Sequence, residues 1–295
     1  MYLYRIHIRP QGGTAPVDAA FSHCLKHHVL GVGWRVDGLC ATQNWEEYEA
    51  RAKLEYKDLQ VCRYIHTWVS SGDLVWTRDP RGQYYLARVK SGWEYWTNKE
   101  SRNLDIDIAN VFRCELRRVD IDDVPGKVVA CFRAPRTFQE IADARAREYS
   151  KYLWNVLNKS DDYEVDAAAC RNVFMMLDAE EVEDVVFLYL QHRGWRVVPH
   201  SRKRDSMAFE YLCVDPATGN VAGTQVKTGA ATLEANEFVR KDLDKVFLFQ
   251  SGGRCVGTVP KGVEVITRDE IEGFLREARS WLPGALQKKL RLVGG

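Results

Sequence analysis

The pattern of predicted elements changes near the middle of the chain. Before about residue 134 the sequence consists mainly of short strand-like segments with Gly and Pro turns, and six of its nine Trp precede residue 97. After about residue 166 the order is helix, three strands, helix, strand and helix. A helical stretch and a polar break at residues 158–162 separate the two parts. Short strands favour a small barrel and the later series favours a mixed sheet flanked by helices, so we predict two domains.

Length and charge are compatible with this division. The 295 residues are enough for two domains of ordinary size. Lys and Arg total 42 against 41 Asp and Glu, which excludes a uniformly basic nucleic-acid coat but leaves room for a local basic groove. No apolar run reaches the length of a membrane span, and the start lacks the apolar core of a signal peptide. We therefore expect a cytoplasmic protein without membrane contact.

The cysteines do not form a metal-binding pattern. The eight Cys are scattered without a Cys-x-x-Cys pair, which indicates reduced and mostly buried thiols. His23, Cys24, His27 and His28 lie close together, but no second Cys/His pair follows at the spacing of a zinc finger. We interpret this stretch as a polar helix or loop with one buried Cys.

The most informative segment is a predicted hairpin at residues 209–227. Residues 215–220 are turn formers between two strand-like flanks. With the turn centred near Thr218 and Gly219, Glu210 would lie opposite about Lys227. Because side chains alternate along a strand, Gln225 and Lys227 share one face. A carboxylate, an amide and an ammonium group are therefore expected to converge.

These groups suit phosphodiester hydrolysis. Glu210 is a hard oxygen ligand for Mg²⁺, and the Gln225 side-chain oxygen or the Val226 carbonyl would supply a second ligand. Lys227 would orient or activate the attacking water and offset charge that grows on the phosphate. Without further support, the same residues would be an ordinary solvated sheet face.

A fourth group is expected from the preceding helix. Asp178 is a predicted N-cap, with Glu181 three residues later. Glu183, Phe187 and Leu190 follow at helical spacing, which aligns a carboxylate with apolar residues. A carboxylate on such a face needs a partner, and a metal site would provide one.

The segment from about Asp178 to Gln250 resembles the PD-(D/E)xK nucleases, and most closely their Mrr-like restriction endonuclease branch. The residues that carry the resemblance are the helix Glu183-Asp184-Val185-Val186, then Gly194-Trp195, Glu210, and Gln225-Val226-Lys227-Thr228-Gly229. The resemblance implies a catalytic site of Glu183, Glu210, Gln225 and Lys227 with Mg²⁺ or Mn²⁺. Two departures are present: Glu replaces the usual hairpin Asp and is one methylene longer, and Gln replaces an acid, which lowers the negative charge of the site.

Basic residues lie between the first two predicted strands of this domain. Arg202, Lys203 and Arg204 are candidates for phosphate contact, although an ordinary charged loop has the same composition. Asp205, in the same loop, is the alternative to Glu210. Lys288, Lys289 and Arg291 would extend the basic surface or keep the C-terminal segment hydrated.

The N-terminal half, from about Gly31 to Val119, resembles PUA-superfamily barrels of the EVE or YTH kind. The resemblance lies in Gly31-Val32-Gly33-Trp34, Gly72-Asp73-Leu74-Val75-Trp76 and Tyr84-Tyr85-Leu86-Ala87-Arg88-Val89. It implies an aromatic pocket for a modified or flipped base, for which stacking offsets the cost of unstacking. The pocket candidates are Trp34, Trp76, Trp93 and Asp73. The alternative is that most of the Trp pack the core.

Together these patterns predict an α+β N-terminal domain with a PUA-like β-barrel at residues 1–134. A helical linker at 135–165 and an α/β PD-(D/E)xK nuclease domain with a mixed central sheet at 166–295 follow. The expected function is Mg²⁺-dependent cleavage of double-stranded DNA, of the restriction or anti-phage type and guided by a modified base. Cutting both strands requires two sites, so a homodimer or transient dimer on DNA is expected. The alternatives are a non-cleaving nucleic-acid reader and an RNA-directed protein.

Overall fold

The computed structural model describes residues 1–166, 173–203 and 209–293. The chain divides into two compact units, Met1–Cys170 and Arg171–Gly295. Within the described residues, no helix combines the length and apolarity needed to cross a membrane.

The first unit is built on a six-stranded mixed sheet with the order β2-β5-β4-β3-β1-β6. Strands β1 and β3 are parallel, and the other neighbours are antiparallel. The strands are β1 (Leu3–Ile6), β2 (Val29–Val32), β3 (Leu74–Arg78), β4 (Tyr84–Tyr95), β5 (Asn110–Val119) and β6 (Phe138–Glu140). The helices are α1 (Val17–Lys26), α2 (Trp45–Glu55), α3 (Gln60–Trp68), α4 (Lys99–Asn103), α5 (Gly126–Arg133) and α6 (Ala144–Asn158).

The sheet of the first unit is open, so the barrel expected from the sequence is not formed by the described strands. Strands β2 and β6 are its two edges. One isolated parallel bridge joins Arg9 to Val32, where Gly33 N donates to Arg9 O at 3.0 Å. Closing a sheet requires a continuous ladder between its edges, and one bridge beside the four-residue β2 does not provide that. The unit is an α+β fold with a mixed sheet.

Close packing explains one glycine of the Gly-x-Gly-Trp motif. A Cβ on Gly33 would lie 2.3 Å from Gln11 N and 2.5 Å from Asp107 Oδ2. The buried Asp107 carboxylate accepts hydrogen bonds from the backbone N–H groups of Gln11, Gly12 and Arg35, at 3.1, 2.6 and 2.9 Å. Gly33 therefore allows three chain segments to meet around one carboxylate, which is a structural reason for this part of the motif.

The predicted linker at residues 135–165 belongs to the first unit. Its first part is strand β6, which pairs with β1, rather than the start of a helix. Helix α6 begins later, where Asp143 caps it by accepting from Ala146 N at 2.9 Å. Trp76 Nε1 donates to Ser150 Oγ of α6 at 3.0 Å, and both side chains are buried. The helix thus packs on the core instead of spanning two domains.

The second unit contains a five-stranded mixed sheet with the order β13-β11-β9-β8-β7. Strands β7, β8 and β9 are antiparallel neighbours, and β9, β11 and β13 are parallel neighbours. The strands are β7 (Arg196–Val197), β8 (Tyr211–Val214), β9 (Val221–Lys227), β11 (Lys245–Gln250) and β13 (Val263–Ile266), with β10 (Leu233–Glu234) and β12 (Cys255–Val256) as a separate parallel pair. The helices are α7 (Val173–Met176), α8 (Ala179–His192), α9 (Arg268–Glu277) and α10 (Gly284–Val293).

The two faces of this sheet belong to different apolar clusters. Helices α8 and α9 pack on one face, against side chains that include Tyr211, Val226 and Phe247. The other face carries a smaller cluster that includes Phe209 and Leu248. Because residues alternate along each strand, this division determines which face each polar side chain of β9 occupies.

Candidate functional site

The hairpin predicted at residues 209–227 is present, but with a different register. Tyr211 pairs with Thr224 and Val214 pairs with Val221. Glu210, just before this ladder, donates its N–H to Thr224 O at 2.9 Å, so it lies beside Thr224 and Gln225 rather than opposite Lys227. The turn explains the shift, since the Asp215 carboxylate accepts from Ala217 N and Thr218 Oγ1 and centres the turn one residue earlier than expected.

Three of the predicted site residues meet at the open end of this hairpin. Glu210 Oε1 accepts a hydrogen bond from Gln225 Nε2 at 2.7 Å, and Lys227 Nζ lies 3.6 Å from the same oxygen. Gln225 is 5% exposed, whereas the Lys227 side chain is 46% exposed. The carboxylate of Glu210, which is held by buried Gln225, therefore lies next to the solvent-accessible ammonium group of Lys227.

The oxygen atoms at this point fit a small divalent cation. Gln225 Nε2 donates to Val226 O at 3.3 Å as well as to Glu210 Oε1, so two oxygens converge on one N–H donor group. A half-turn of the amide would replace that donor by a third oxygen. Carboxylate, peptide and amide oxygens are the ligands that Mg²⁺ takes in proteins. These oxygen ligands therefore fit Mg²⁺, although the positive charge of the Lys227 ammonium group repels a second cation beside it.

Glu183 lies on a helix that packs on the other face of the sheet. Phe187, one turn after it, makes an edge contact with Tyr211, with ring centroids 5.8 Å apart. Gln225 pairs with Leu248, which belongs to the opposite face. The structure thus brings Glu210, Gln225 and Lys227 together, while the role of Glu183 as a fourth group stays a prediction.

Gln250 organises the loop that follows Lys227, and the sequence analysis missed it. It is buried and pairs with Lys227 across the β9–β11 ladder. Its Nε2 donates to Gly229 O and Ala231 O at 3.1 and 2.8 Å. Its Oε1 accepts from the backbone N–H groups of Gly252 and Arg254 at 2.7 and 2.8 Å. The available signal was a polar residue that ends an otherwise apolar strand, Val-Phe-Leu-Phe-Gln.

The predicted basic loop lies largely beyond the described part of the chain. The backbone of Arg202 and Lys203 belongs to the 3₁₀ helix Pro199–Lys203, but their side chains are not described. Arg204 and Asp205 are outside the described residues. Lys289, which the sequence placed on an extended basic surface, is instead buried and forms an ion pair with Glu181.

The aromatic pocket expected in the first unit is not assembled by its predicted residues. Trp76 and Trp93 are buried, and their indole N–H groups donate to Ser150 Oγ and Asn110 Oδ1, both at 3.0 Å. Asp73 accepts from the backbone N–H groups of Tyr2 and Ser70, and half-buried Trp34 donates to Asp58 O. These side chains satisfy their polar atoms inside the fold, as core Trp residues usually do.

A different group of aromatic side chains lines an open groove. This α3–β6 groove has a volume of about 520 Å³ and is formed by Gln60, Val61, Tyr64 and Trp68 with Arg136, Thr137, Phe138, Gln139 and Glu140. The Tyr64 and Trp68 rings stack at 4.2 Å with an interplanar angle of 18°. Trp68 is 39% exposed. The volume falls within the range of small-molecule sites.

Potential metal ligands cluster elsewhere in the first unit. Across the described residues, the one group of three or more His, Cys, Asp or Glu side chains with converging ligand atoms is His23, His27 and Glu100. Among the described residues, Glu210 is therefore not part of a group of three such side chains.

Comparison with family models, curated proteins and solved structures found no match to this chain. The two family resemblances stay predictions, and the function is inferred from the geometry of the sites.

Proposed function

We propose that the protein is a Mg²⁺-dependent endonuclease that hydrolyses phosphodiester bonds in DNA. The observation that carries this proposal is the convergence of Glu210 Oε1, Val226 O and the Gln225 amide beside the ammonium group of Lys227. An antiparallel hairpin with a parallel third strand holds these groups at one end of a mixed sheet. This arrangement supports the predicted PD-(D/E)xK fold of the second unit.

In this mechanism the side chains of the chain bind and orient the reactants. Mg²⁺, held by Glu210 and the Val226 carbonyl, would supply a Lewis acid for the phosphate and lower the pKa of a bound water. Gln225 would supply its side-chain oxygen as a further ligand, with its amide turned by half a turn. The exposed Lys227 ammonium group donates hydrogen bonds to the attacking water or to a phosphate oxygen. Its charge stabilises the negative charge that develops on the phosphate oxygens in the transition state.

The first unit is proposed to select the DNA. Its sheet is open, and the single Arg9–Val32 bridge between the end of the β1 segment and β2 does not close it. The α3–β6 groove replaces the predicted set of Trp residues as the place for a modified or flipped base. Stacking on the exposed face of Trp68 would supply the affinity.

The function is tested by incubating the protein with modified and unmodified phage DNA, in Mg²⁺ and in EDTA. We expect cleavage in Mg²⁺ and none in EDTA, and we expect the modified and unmodified DNAs to be cleaved at different rates. Absence of cleavage on every substrate, in Mg²⁺ and in Mn²⁺, would contradict the proposal.

A second candidate function is metal-independent reading of nucleic acid without cleavage. It is favoured by one observation, the hydrogen bond that Gln225 Nε2 donates to Glu210 Oε1, which turns an N–H donor rather than an oxygen towards this carboxylate. Site-bound Mg²⁺ has to replace this bond. DNA binding that is unchanged by EDTA, combined with no nicking, would establish this function. Matched RNA and DNA oligonucleotides in the same binding assay would identify an RNA-directed protein.

Replacing Trp68 by Ala is expected to weaken nucleic-acid binding. Base–aromatic stacking contributes about 1–3 kcal/mol, so the Kd should rise by about 5- to 150-fold. Fluorescence anisotropy with a labelled duplex measures this change. Trp281→Ala is the matched control, because Trp281 is also exposed, at 52%, and lies on the second unit. Equal Kd values for Trp68→Ala and Trp281→Ala would exclude the groove as the base-binding site.

A further inference from the structure

Two histidines and a glutamate from distant parts of the first unit meet at the end of helix α1. His23 lies on the last turn of α1, and His27 is the residue that ends it. Glu100 comes from the short helix α4, more than seventy residues later. His27 Nε2 lies 2.8 Å from Glu100 Oε2, and His23 Nδ1 lies 3.9 Å from the same oxygen. The three ligand atoms all fall within 4.8 Å of one another.

His23 provides an independent indication that something binds here. Its side chain is 2% exposed, and neither ring nitrogen has a hydrogen-bond partner among the described residues. Buried polar atoms are nearly always satisfied, so an imidazole with two unsatisfied nitrogens requires an explanation. An imidazole whose nitrogens are not used by the fold can offer one of them to a metal ion.

We propose that His23, His27 and Glu100 form a zinc site in the first unit. Two imidazole nitrogens and one carboxylate oxygen are a common ligand set for Zn²⁺, and three protein ligands leave a position for water. The site is separate from the proposed Mg²⁺ site, since imidazole nitrogen favours zinc and other late transition metals over Mg²⁺. Two of its ligands lie at the end of α1 and the third lies in α4, so the metal would hold these two helices together.

The surroundings of the three ligands fit this role. Lys26 Nζ lies 2.7 Å from Glu100 Oε1, which leaves Oε2 for the metal and fixes the orientation of the carboxylate. The Trp96 ring stacks on His23, with centroids 5.5 Å apart, and limits the motion of that imidazole. His27 and Glu100 are partly exposed, which leaves a path for the ion.

The proposal is tested by titrating metal-free protein with Zn²⁺ in a calorimeter, in saturating Mg²⁺ so that the Glu210 site does not respond. We expect one Zn²⁺ per chain. Glu100→Gln and His27→Ala should each weaken binding by about 100-fold or more, because each removes a direct ligand. His28→Asn is the control, since His28 is an exposed neighbour outside the cluster and Asn tolerates its positive φ of 54°. That variant should bind Zn²⁺ like the wild type.

Co²⁺ provides a second readout that does not depend on folding stability. Bound by two imidazoles and a carboxylate, it should give the visible absorption of a four-coordinate site, and Glu100→Gln should abolish that band. Unchanged Zn²⁺ affinity in both Glu100→Gln and His27→Ala, or no stoichiometric binding by the wild type, would overturn the proposal. Neither result depends on whether the protein cleaves DNA.

Discussion

Replacing Lys227 by Ala is expected to lower the rate of DNA cleavage by about 10²- to 10³-fold, the usual effect of removing one group that stabilises transition-state charge. The side chain is 46% exposed and its ion pair with Glu210 is long, at 3.6 Å, so the fold should not depend on it. Mg²⁺ affinity should stay the same or rise, because an ammonium group beside the carboxylate is lost. Single-turnover cleavage at saturating protein measures the chemical step directly.

The control for this substitution is Lys245→Ala. Lys245 lies on the neighbouring strand β11, but at its other end, where it pairs with Ala222 and contacts Glu264. Both variants remove one positive charge from the same sheet. Lys245→Ala should therefore retain wild-type cleavage within a few-fold. If the two variants lost activity equally, the effect would reflect general electrostatic attraction to DNA, and Lys227 would have no part in the reaction.

Replacing Glu181 by Gln is expected to destabilise the second unit by about 3 kcal/mol. The Lys289 side chain is buried, 1% exposed, and forms an ion pair with Glu181, which is only 23% exposed. Breaking a buried pair by removing one partner costs about 3–5 kcal/mol, and the partial exposure of Glu181 places the expected value at the lower end. Gln can keep the capping contact with Asp178 through its one side-chain oxygen, but it then turns its NH₂ group towards Lys289, so the substitution removes both the charge and an acceptor.

A double variant separates the ion pair from other effects. Adding Lys289→Met to Glu181→Gln removes the buried ammonium group, and an apolar side chain of similar length should recover most of the lost stability. Urea unfolding measured by hydrogen exchange of the α8 amides gives the change in the free energy of unfolding of the second unit. Equal stability of Glu181→Gln and the wild type would mean that solvent reaches Lys289, in conflict with its burial.

Local signals in the sequence predicted several elements well. The hairpin predicted at residues 209–227 is present as β8 and β9, and Asp178 caps α8 as expected. These features depend on residues close in sequence. The strand at Phe138 was missed because the sequence predicts a helical stretch there, whereas pairing with β1 and contact with Tyr4 decide the outcome.

The candidate sites were harder to predict because they depend on distant contacts. The hairpin register could be estimated only within a residue or two, and the Asp215 turn decided it. The abundance of Trp indicated an aromatic-rich unit, but not which rings would be exposed: Trp76 is buried by α6, while Trp68 is left at a groove. The approach of Glu100 to two histidines of α1 has no local signal in the sequence.

The most direct test of the central claim compares wild-type protein with Glu210→Gln in a Mg²⁺-dependent nicking assay on phage DNA. The substitution keeps the size of the side chain and removes the one charged oxygen ligand in the proposed site. Identical purification of the two proteins controls for contaminating nucleases. We expect nicking by the wild type and a loss of about 100-fold or more in Glu210→Gln. Equal nicking by both proteins would show that the site formed by Glu210, Gln225 and Lys227 does not cleave DNA.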